Sequence, residues 1–240
     1  MNLLAFDTST ETLSVAVRAG AAGPLFEHAG PGGAQASAAL IPAIQDLLAR
    51  AGLRLAQLDA IAFGRGPGSF TGLRTATAVA QGLGFGSGVP VLPIDTLLAV
   101  AEEAHGRCGA QRVVALLDAR MDEVYAAAYE RDGGGWTQRR APALLRPEAV
   151  EAPAGWTLAG NAVELHAARL PAGMPRCAVL PTARALLRLA PAALADGTAH
   201  EAARALPLYV RDKVAQTTEE RAADRARKDM LRGTAAAGMP

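Results

Sequence analysis

The sequence predicts an α/β fold built from two similar lobes, each a mixed sheet flanked by helices. Apolar and β-branched residues alternate or run together at Leu3–Asp7 and Leu13–Arg18, as they do in strands, and helical spacing follows from about residue 37. The same order of strands followed by helices begins again after residue 105. The predicted regions are a first lobe at 1–105, a smaller second lobe at 106–215, and a charged helix with a frayed tail at 216–240.

Turn and capping residues divide each lobe into its elements. Ser37 is a candidate cap for a helix that reaches Ala51, and Gly52 suits the end of that helix. The other predicted first-lobe elements are strands at Leu25–His28, Ala60–Phe63 and Val89–Pro93 and helices at about 71–85 and Thr96–His105. The predicted second-lobe elements are strands at Arg112–Leu117, Glu123–Glu130, Trp136–Arg140 and Leu158–Gly160, helices at 162–169 and 182–195, an extended segment at Pro207–Ala215 and a solvated helix at Thr217–Arg232.

The composition is that of an ordinary globular protein, and it excludes several functional classes. The chain has 24 basic and 23 acidic residues, a balance that argues against a domain gripping nucleic acid by itself through a large basic face. Its only lysines, Lys213 and Lys228, do not follow a glycine-rich turn, so a P-loop is excluded. Cys108 and Cys177 form no CxxC pair, so neither a zinc knuckle nor a redox motif is indicated.

No segment predicts export or membrane insertion. The start, MNLLAFD, lacks a basic region and reaches an aspartate early, unlike a signal peptide. Glycines and prolines interrupt the uncharged stretch Thr75–Ile94, so we interpret it as the end of a helix, a turn and a strand. We therefore expect a cytoplasmic protein without a membrane partner.

A glycine-rich turn, Gly64–Gly68, separates the buried strand Ala60–Phe63 from the next helix, which Ser69 or Thr71 can cap. Such a turn exposes backbone N–H groups at the positive end of a helix dipole, where a phosphate or a carboxylate is stabilised. The alternative is a tight turn that needs glycine only for positive φ angles. The physical argument alone leaves both interpretations open.

The same turn carries a specific resemblance. The string GRGPGSFTGLR, preceded by LLAFDTSTETLSVAV, resembles the TsaB (YeaZ) family of tRNA threonylcarbamoyladenosine biosynthesis proteins. Further similar strings are PAIQDLL at 42–48, VPVLPIDTL at 89–97, LLDARMDEVYAAAY at 116–129 and YVRDKVA at 209–215. The resemblance is dense over residues 1–130 and holds only in outline over 131–206.

The resemblance implies a two-lobed fold of the actin/Hsp70/sugar-kinase type, which is RNase H-like, and a non-catalytic function. A protein of this family pairs with TsaD, and with the ATPase TsaE, to form N6-threonylcarbamoyladenosine at position 37 of tRNAs that read codons beginning with A. TsaD, the catalytic relative, supplies the metal and the active site. The implied partners are therefore TsaD and TsaE, tRNA through the complex, and a second copy of the chain when TsaD is absent. The resemblance implies no intrinsic cofactor, although a nucleotide shared at the interface with TsaD is compatible with it.

The histidines do not suggest a metal site. None of the four, at 28, 105, 166 and 200, has another His or Cys three or four residues away, so no helical metal clamp is predicted. TsaD carries a metal-binding histidine pair early in its first lobe, where this chain has GGAQASAALIP. Ala36 stands where several members of the resembled family keep a lone histidine. We therefore predict no metal ligands and no catalytic residues.

Asp7, Thr8 and Ser9 lie in the predicted turn between the first two strands. In the resembled folds this hairpin approaches phosphate, so the resemblance places these residues near a phosphate or nucleotide. Gly66, Gly68 and Ser69 of the glycine-rich turn complete this predicted set. We favour the alternative, a polar turn that satisfies its own backbone, because AGNA at 159–162 is only a remnant of a glycine-rich adenosine loop.

A charged cluster and a stripe of small residues each permit two interpretations. Asp118, Arg120, Asp122 and Glu123 could perform acid–base chemistry, but we favour an ion-pair network at the edge of a lobe. Small residues recur every four positions in the helix at 71–85, which allows either packing on its own sheet or close approach by a partner. The predicted partner interface on the helices at 37–51 and 71–85 comprises Leu40, Ile44, Gly72, Leu73, Ala76, Ala80 and Gly84.

Two functions other than a non-catalytic accessory role remain as alternatives. An ATPase or kinase of the actin-like superfamily would use Asp7 and the GPGSFTG turn. A peptidase-like protein would need metal ligands or a nucleophile, and no GxSxG elbow occurs.

Overall fold

Two five-stranded mixed sheets form the framework of the chain, which the computed structural model describes over residues 1–211. This is the α/β arrangement that the sequence predicts, with helices flanking each sheet. The charged helix predicted at Thr217–Arg232 and the tail of the 216–240 region lie outside the described residues.

The first sheet has the strand order β3-β2-β1-β4-β5. Its strands are β1 (Leu3–Asp7), β2 (Thr12–Arg18), β3 (Leu25–Pro31), β4 (Ala60–Gly66) and β5 (Val91–Asp95). β1, β2 and β3 form an antiparallel meander, whereas β4 and β5 run parallel to β1. Its helices are α1 (Ala36–Arg50), α2 (Phe70–Ser87) and α3 (Thr96–Cys108).

Alternation along the central strands gives this sheet two buried faces. Leu4 and Phe6 of β1 pack with Ile61 of β4 beneath α1 and α2. Leu3 and Ala5 point to the opposite face, which α3 helps to cover. Helices therefore lie on both sides of the sheet, and the core of the first lobe has two layers.

The second sheet has the order β10-β9-β6-β7-β8. Its strands are β6 (Arg112–Arg120), β7 (Glu123–Asp132), β8 (Gly135–Leu145), β9 (Thr157–Ala159) and β10 (Arg176–Cys177), with the short helix α4 (Ala162–Leu165) after β9. Leu97, Val100 and Ala104 of α3 pack on one face of this sheet. Because Ala99 belongs to the core of the first lobe, α3 contacts both sheets.

Helix α5 (Ala183–Ala195) corrects the predicted boundary between the lobes. It follows the second sheet in sequence, yet Leu186, Leu187 and Ala190 pack on the face of the first sheet that α3 leaves partly uncovered. The Ala183 amide also donates to Ser14 Oγ at 2.9 Å. The region assigned to a second lobe at 106–215 thus returns to the first lobe from residue 183 onward.

The predicted helix caps also need correction. The Ser37 hydroxyl donates to the Ala34 carbonyl at 3.2 Å instead of capping α1, whose N-cap is Gln35. Ser69 is the N-cap residue of α2, but its side chain makes no capping hydrogen bond. Strand β5 begins at Val91 rather than Val89, since Gly88 ends α2 with a left-handed φ of 72°. No helix within residues 1–211 is long and apolar enough to cross a membrane.

Candidate functional site: a buried aspartate, an acidic cleft and a helical face

Asp7 ends β1 and is completely buried. Its Oδ1 accepts hydrogen bonds from the Ser9 amide at 2.9 Å and from Ser9 Oγ at 2.6 Å. Thr96 Oγ1, at the start of α3, donates to its Oδ2 at 3.5 Å. A Cβ at Gly64 would lie 1.8 Å from that Oδ2, so only glycine lets the carboxyl group fit against β4. Asp7 therefore ties together the hairpin, β4 and α3.

Burial raises the pKa of Asp7 to about 6, because loss of solvation outweighs the hydrogen bonds from Ser9 and Thr96. A carboxyl group with this pKa is partly protonated close to neutral pH. Its oxygens nevertheless have partners within the protein, and it has no exposed surface for a substrate.

The glycine-rich turn packs directly on the Asp7 hairpin. The Ser69 amide donates to the Ser9 carbonyl at 2.7 Å, and the Gly66 amide donates to Thr96 Oγ1 at 3.1 Å. A Cβ at Gly68 would lie 2.6 Å from the Ser9 carbonyl oxygen. Two of the amides that a phosphate could use, those of Gly66 and Ser69, thus donate to protein oxygens, which favours the tight-turn interpretation.

Helix α2 continues this close packing. The Thr8 hydroxyl donates to the Gly72 carbonyl at 2.7 Å, and a Cβ at Gly72 would lie 1.8 Å from the Thr8 carbonyl oxygen. The structure therefore brings the two halves of the predicted phosphate set into contact with each other. The residues predicted near phosphate are Asp7, Thr8, Ser9, Gly66, Gly68 and Ser69. None of them lines the cavity between the lobes, which is described next.

A cavity of about 930 Å³ is lined by residues from both lobes. Its carboxylates outnumber its guanidinium groups, so the charge of its lining disfavours a phosphate. The acidic lining residues are Glu11, Glu103, Asp118 and Glu164, and the basic ones are Arg107 and Arg120. Asn161 Nδ2 donates to Glu11 Oε2 at 3.5 Å across this cleft.

The charged cluster predicted at the second lobe is an ion-pair network. Arg120 Nη1 lies 3.4 Å from Asp118 Oδ2, and His166 Nε2 lies 3.3 Å from Asp118 Oδ1. Arg169 pairs with Asp122 at 3.6 Å. These partners support the network interpretation over acid–base chemistry. Sequence reasoning missed His166, because no local spacing connects it to a carboxylate 48 residues away.

Residues 120–122 form an unusual turn between β6 and β7. Arg120, Met121 and Asp122 have positive φ angles of 63°, 56° and 60°, a conformation that side chains disfavour. Asp118 supports this turn, because its Oδ1 accepts a hydrogen bond from the Arg120 amide at 3.2 Å. The carboxylate thus has a structural use within the hairpin. Within residues 1–211, no three His, Cys, Asp or Glu side chains form a group that could hold a metal ion.

The residues predicted to form the partner interface lie in the interior of the first lobe. A Cβ at Gly84 would lie 2.9 Å from Ala202 Cβ, and Ala76 and Ala80 belong to the buried core. The stripe of small residues therefore packs against the chain's own hairpin, strands and C-terminal segment. This corrects the prediction that these side chains supply the contact surface: Leu40, Ile44, Gly72, Leu73, Ala76, Ala80 and Gly84 are all buried.

The opposite face of the same helices is exposed and carries mostly small or uncharged side chains, with Asp46 and Arg50 of α1 and Arg74 of α2 beside them. α1 and α2 contact each other. We name as the α1–α2 face the exposed residues Ala38, Ile41 and Gln45 of α1 and Thr71, Ala78 and Gly82 of α2. Ile41 is 44% exposed, and a Cβ at Gly82 would meet no atom within 4 Å. Backbone and side chains are therefore accessible along this face.

Comparison with known proteins gives consistent matches. The sequence model of the family described as "TsaD: tRNA N6-adenosine threonylcarbamoyltransferase" matches residues 31–232. The "tRNA threonylcarbamoyladenosine biosynthesis protein TsaB" of Escherichia coli (strain K12) is 36% identical over 229 residues, covering 90% of this chain and 96% of the relative.

Solved structures agree with these matches. "YeaZ from Pseudomonas aeruginosa" superposes with a TM-score of 0.81 at 43% identity, over 87% of this chain and 99% of the other. A second structure, described as an uncharacterized protein with similarity to peptidase YEAZ from Pseudomonas aeruginosa, gives a TM-score of 0.81 at 42% identity, over 88% and 99% of the two chains. These matches confirm the two-lobed, actin-like α/β fold. The chain belongs to the TsaB (YeaZ) family of tRNA threonylcarbamoyladenosine biosynthesis proteins, within the wider TsaD family.

Proposed function

We propose that this chain is a non-catalytic accessory subunit in the formation of N6-threonylcarbamoyladenosine on tRNA. In this proposal it docks on TsaD, works with TsaE, and acts in the cytoplasm at position 37 of tRNAs that read codons beginning with A. The names of its relatives support the pathway. The accessibility of the α1–α2 face is the observation that carries the docking role.

The state of Asp7 supports the non-catalytic part of the proposal. An ATPase or kinase that used Asp7 and the glycine-rich turn would need a carboxylate and free amides facing a ligand. Here Asp7 is buried beneath its own hairpin, and the amides of Gly66 and Ser69 donate to protein oxygens. These groups hold the hairpin, the turn and α3 together.

The composition of the α1–α2 face supports docking. Its six residues are uncharged and only Arg74 of α2 is an exposed charge between them, so a partner would cover mostly uncharged surface. Phe85, near the end of α2, is 68% exposed and adds apolar area. Burying apolar surface stabilises a complex by roughly 25 cal/mol per Å² before association entropy is subtracted. Glycine and alanine along α2 let a partner helix approach the backbone closely.

TsaD is the occupant that we propose for this face. Without TsaD, the same face would serve a twofold homodimer, since a closed two-subunit complex uses one patch on each copy. The proposal includes no intrinsic cofactor and allows a nucleotide to be held between this chain and TsaD.

The test introduces an arginine into the α1–α2 face. Gly82→Arg places a long cation on α2 where the structure leaves open space, so folding should be retained while TsaD binding weakens at least about tenfold. Ala192→Arg, at an exposed position of α5, is the matched control and should bind normally. Affinity for TsaD of the same organism is measured by calorimetry, and tRNA modification is assayed in the reconstituted system. Unchanged affinity of the Gly82 variant would reject this placement.

The rival functions predict activity of the isolated chain. Turnover of ATP with magnesium by the purified protein would favour an enzyme of the kinase or ATPase type. Chelator-sensitive peptide cleavage would favour the peptidase that the name of one similar structure suggests. We expect neither activity above that of an Asp7→Asn control.

A further inference from the structure

A second cavity of about 360 Å³ lies in the first lobe, where β4 and β5 meet the segment that follows α5. Arg65 enters from the end of β4, and Thr198, His200 and Arg204 come from the later segment. All of its ionisable lining residues are basic. Asp196, which precedes this segment, and Glu201, which lies within it next to His200, do not line the cavity. We name it the basic pocket, and it shares no residue with the α1–α2 face.

His200 is held in place before any ligand arrives. Its amide donates to the Val91 carbonyl at 3.0 Å, and its carbonyl accepts from the Val91 amide at 2.9 Å, so it adds an antiparallel bridge to β5. Its Nδ1 lies 2.7 Å from the Thr198 carbonyl oxygen. A carbonyl accepts but cannot donate, so Nδ1 carries the hydrogen, and in the neutral ring Nε2 is an acceptor for a ligand hydroxyl rather than a donor to phosphate oxygens.

The two arginines that line the basic pocket both have guanidinium N–H groups that can donate hydrogen bonds to a ligand. Arg65 Nε donates to Asp95 Oδ1 at 2.6 Å, an ion pair that orients the guanidinium and offsets its charge, while its terminal nitrogens remain as donors for a ligand. The Arg65 carbonyl also accepts from the Leu208 amide at 2.7 Å, so the later segment is fixed beside it. Arg204 closes a short 3₁₀ turn and makes no ion pair within residues 1–211. The Arg204 guanidinium therefore lines the pocket without a carboxylate partner in the described part of the chain.

We propose that the basic pocket binds a phosphate group, carried by a small phosphorylated molecule or by a nucleic-acid backbone. Guanidinium groups match phosphate oxygens in geometry as well as in charge. The pocket is larger than a phosphate alone, so an attached sugar can also enter. The 930 Å³ cleft has the opposite charge balance, with four acidic and two basic lining residues. A phosphate is thus favoured at the edge of β5 rather than in the cleft between the lobes.

The test titrates inorganic phosphate into the full-length chain at low salt, followed by amide chemical shifts. We expect saturable changes at Arg65 and at residues 198–204, with binding that weakens as salt rises. Arg204→Gln removes the unpaired charge and should raise the dissociation constant for phosphate by about tenfold or more. Arg146→Gln is the matched control, since Arg146 is also exposed and borders a 3₁₀ turn, and it should bind as the parent does.

A second titration identifies the source of the phosphate. A short RNA without terminal phosphates presents diesters alone, and its competition with inorganic phosphate would assign the pocket to a nucleic-acid backbone. Binding of inorganic phosphate and nucleoside monophosphates without competition by this RNA would assign it to small molecules. No saturable shift near residues 198–204, or an equal loss in the Arg204 and Arg146 variants, overturns the proposal. Because the readout needs no TsaD, its failure would leave the docking proposal untouched.

Discussion

At the scale of single residues, Asp7 makes the free energy of unfolding depend on pH. Its pKa in the folded protein is about 6, against 3.8 for an ordinary aspartate, so the native state binds the proton more tightly than the unfolded chain. Stability from this group is fully present below the unfolded pKa and is lost as pH rises toward the folded pKa. The window is therefore about pH 4 to 6, and the total change is about 3 kcal/mol.

Asp7→Asn should remove this dependence while keeping the shape of the side chain. The amide oxygen can still accept from Ser9, and the amide nitrogen can donate to Thr96 Oγ1. Relative to the parent, the variant should gain about 3 kcal/mol of unfolding free energy between pH 4 and pH 7. Urea unfolding at several pH values measures this difference. A difference between the two proteins that stays constant over the range would show that Asp7 does not carry the shift.

At the scale of elements, helix α2 has two faces of small residues with opposite uses. Gly72 and Gly84 face inward, where a Cβ would meet the Thr8 carbonyl oxygen or Ala202. Gly82 faces outward into open space. A recurrence of small residues every four positions marks one side of a helix, but it does not say whether that side meets the chain's own core or a partner. The sequence therefore predicted the helix and misassigned its face.

A pair of glycine substitutions on α2 separates these uses. Gly72→Ala should destabilise the fold by more than about 3 kcal/mol, since its Cβ would lie 1.8 Å from a backbone oxygen. Gly82→Ala should stabilise it by about 1 kcal/mol, because alanine favours a helix and nothing obstructs the methyl group. Thermal and urea unfolding of both variants check the prediction. Equal effects at the two positions would contradict the assignment of faces.

Other elements show which features the sequence can specify. Strands β1, β2, β6 and β7 were predicted because alternation and apolar runs record how a sheet is buried. The packing of α5 on the first sheet was not predicted, since an amphipathic pattern shows that a face is buried but not what covers it. For the same reason, the sequence did not predict the contact of His166 with Asp118. It also did not decide between a phosphate-binding turn and a tight turn, because that choice depends on the hydrogen-bond partners of the turn's amides.

At the scale of the whole molecule, Glu102 joins the two lobes. It lies on α3 and is only 4% exposed. Its Oε1 accepts from Arg188 Nε of α5 at 2.7 Å, while its Oε2 accepts from Trp136 Nε1 of β8 at 2.8 Å and from Arg131 Nη1 of β7 at 3.2 Å. One carboxylate thus connects the helix that covers the first sheet with two strands of the second. No local pattern in the sequence predicts this meeting of distant elements.

Removing that carboxylate should weaken the link between the lobes. Glu102→Ala leaves Arg131 without its carboxylate partner and Arg188 with only Glu103, and we expect a loss of about 2–3 kcal/mol in unfolding free energy. Asp46→Ala is the control, because its pair with Arg50 is exposed on α1 and should contribute less than about 1 kcal/mol. Urea unfolding measures both, and hydrogen exchange of β7 and β8 amides reports whether the second sheet loosens first. Equal small losses in the two variants would mean that burial, and not Glu102, holds the lobes together.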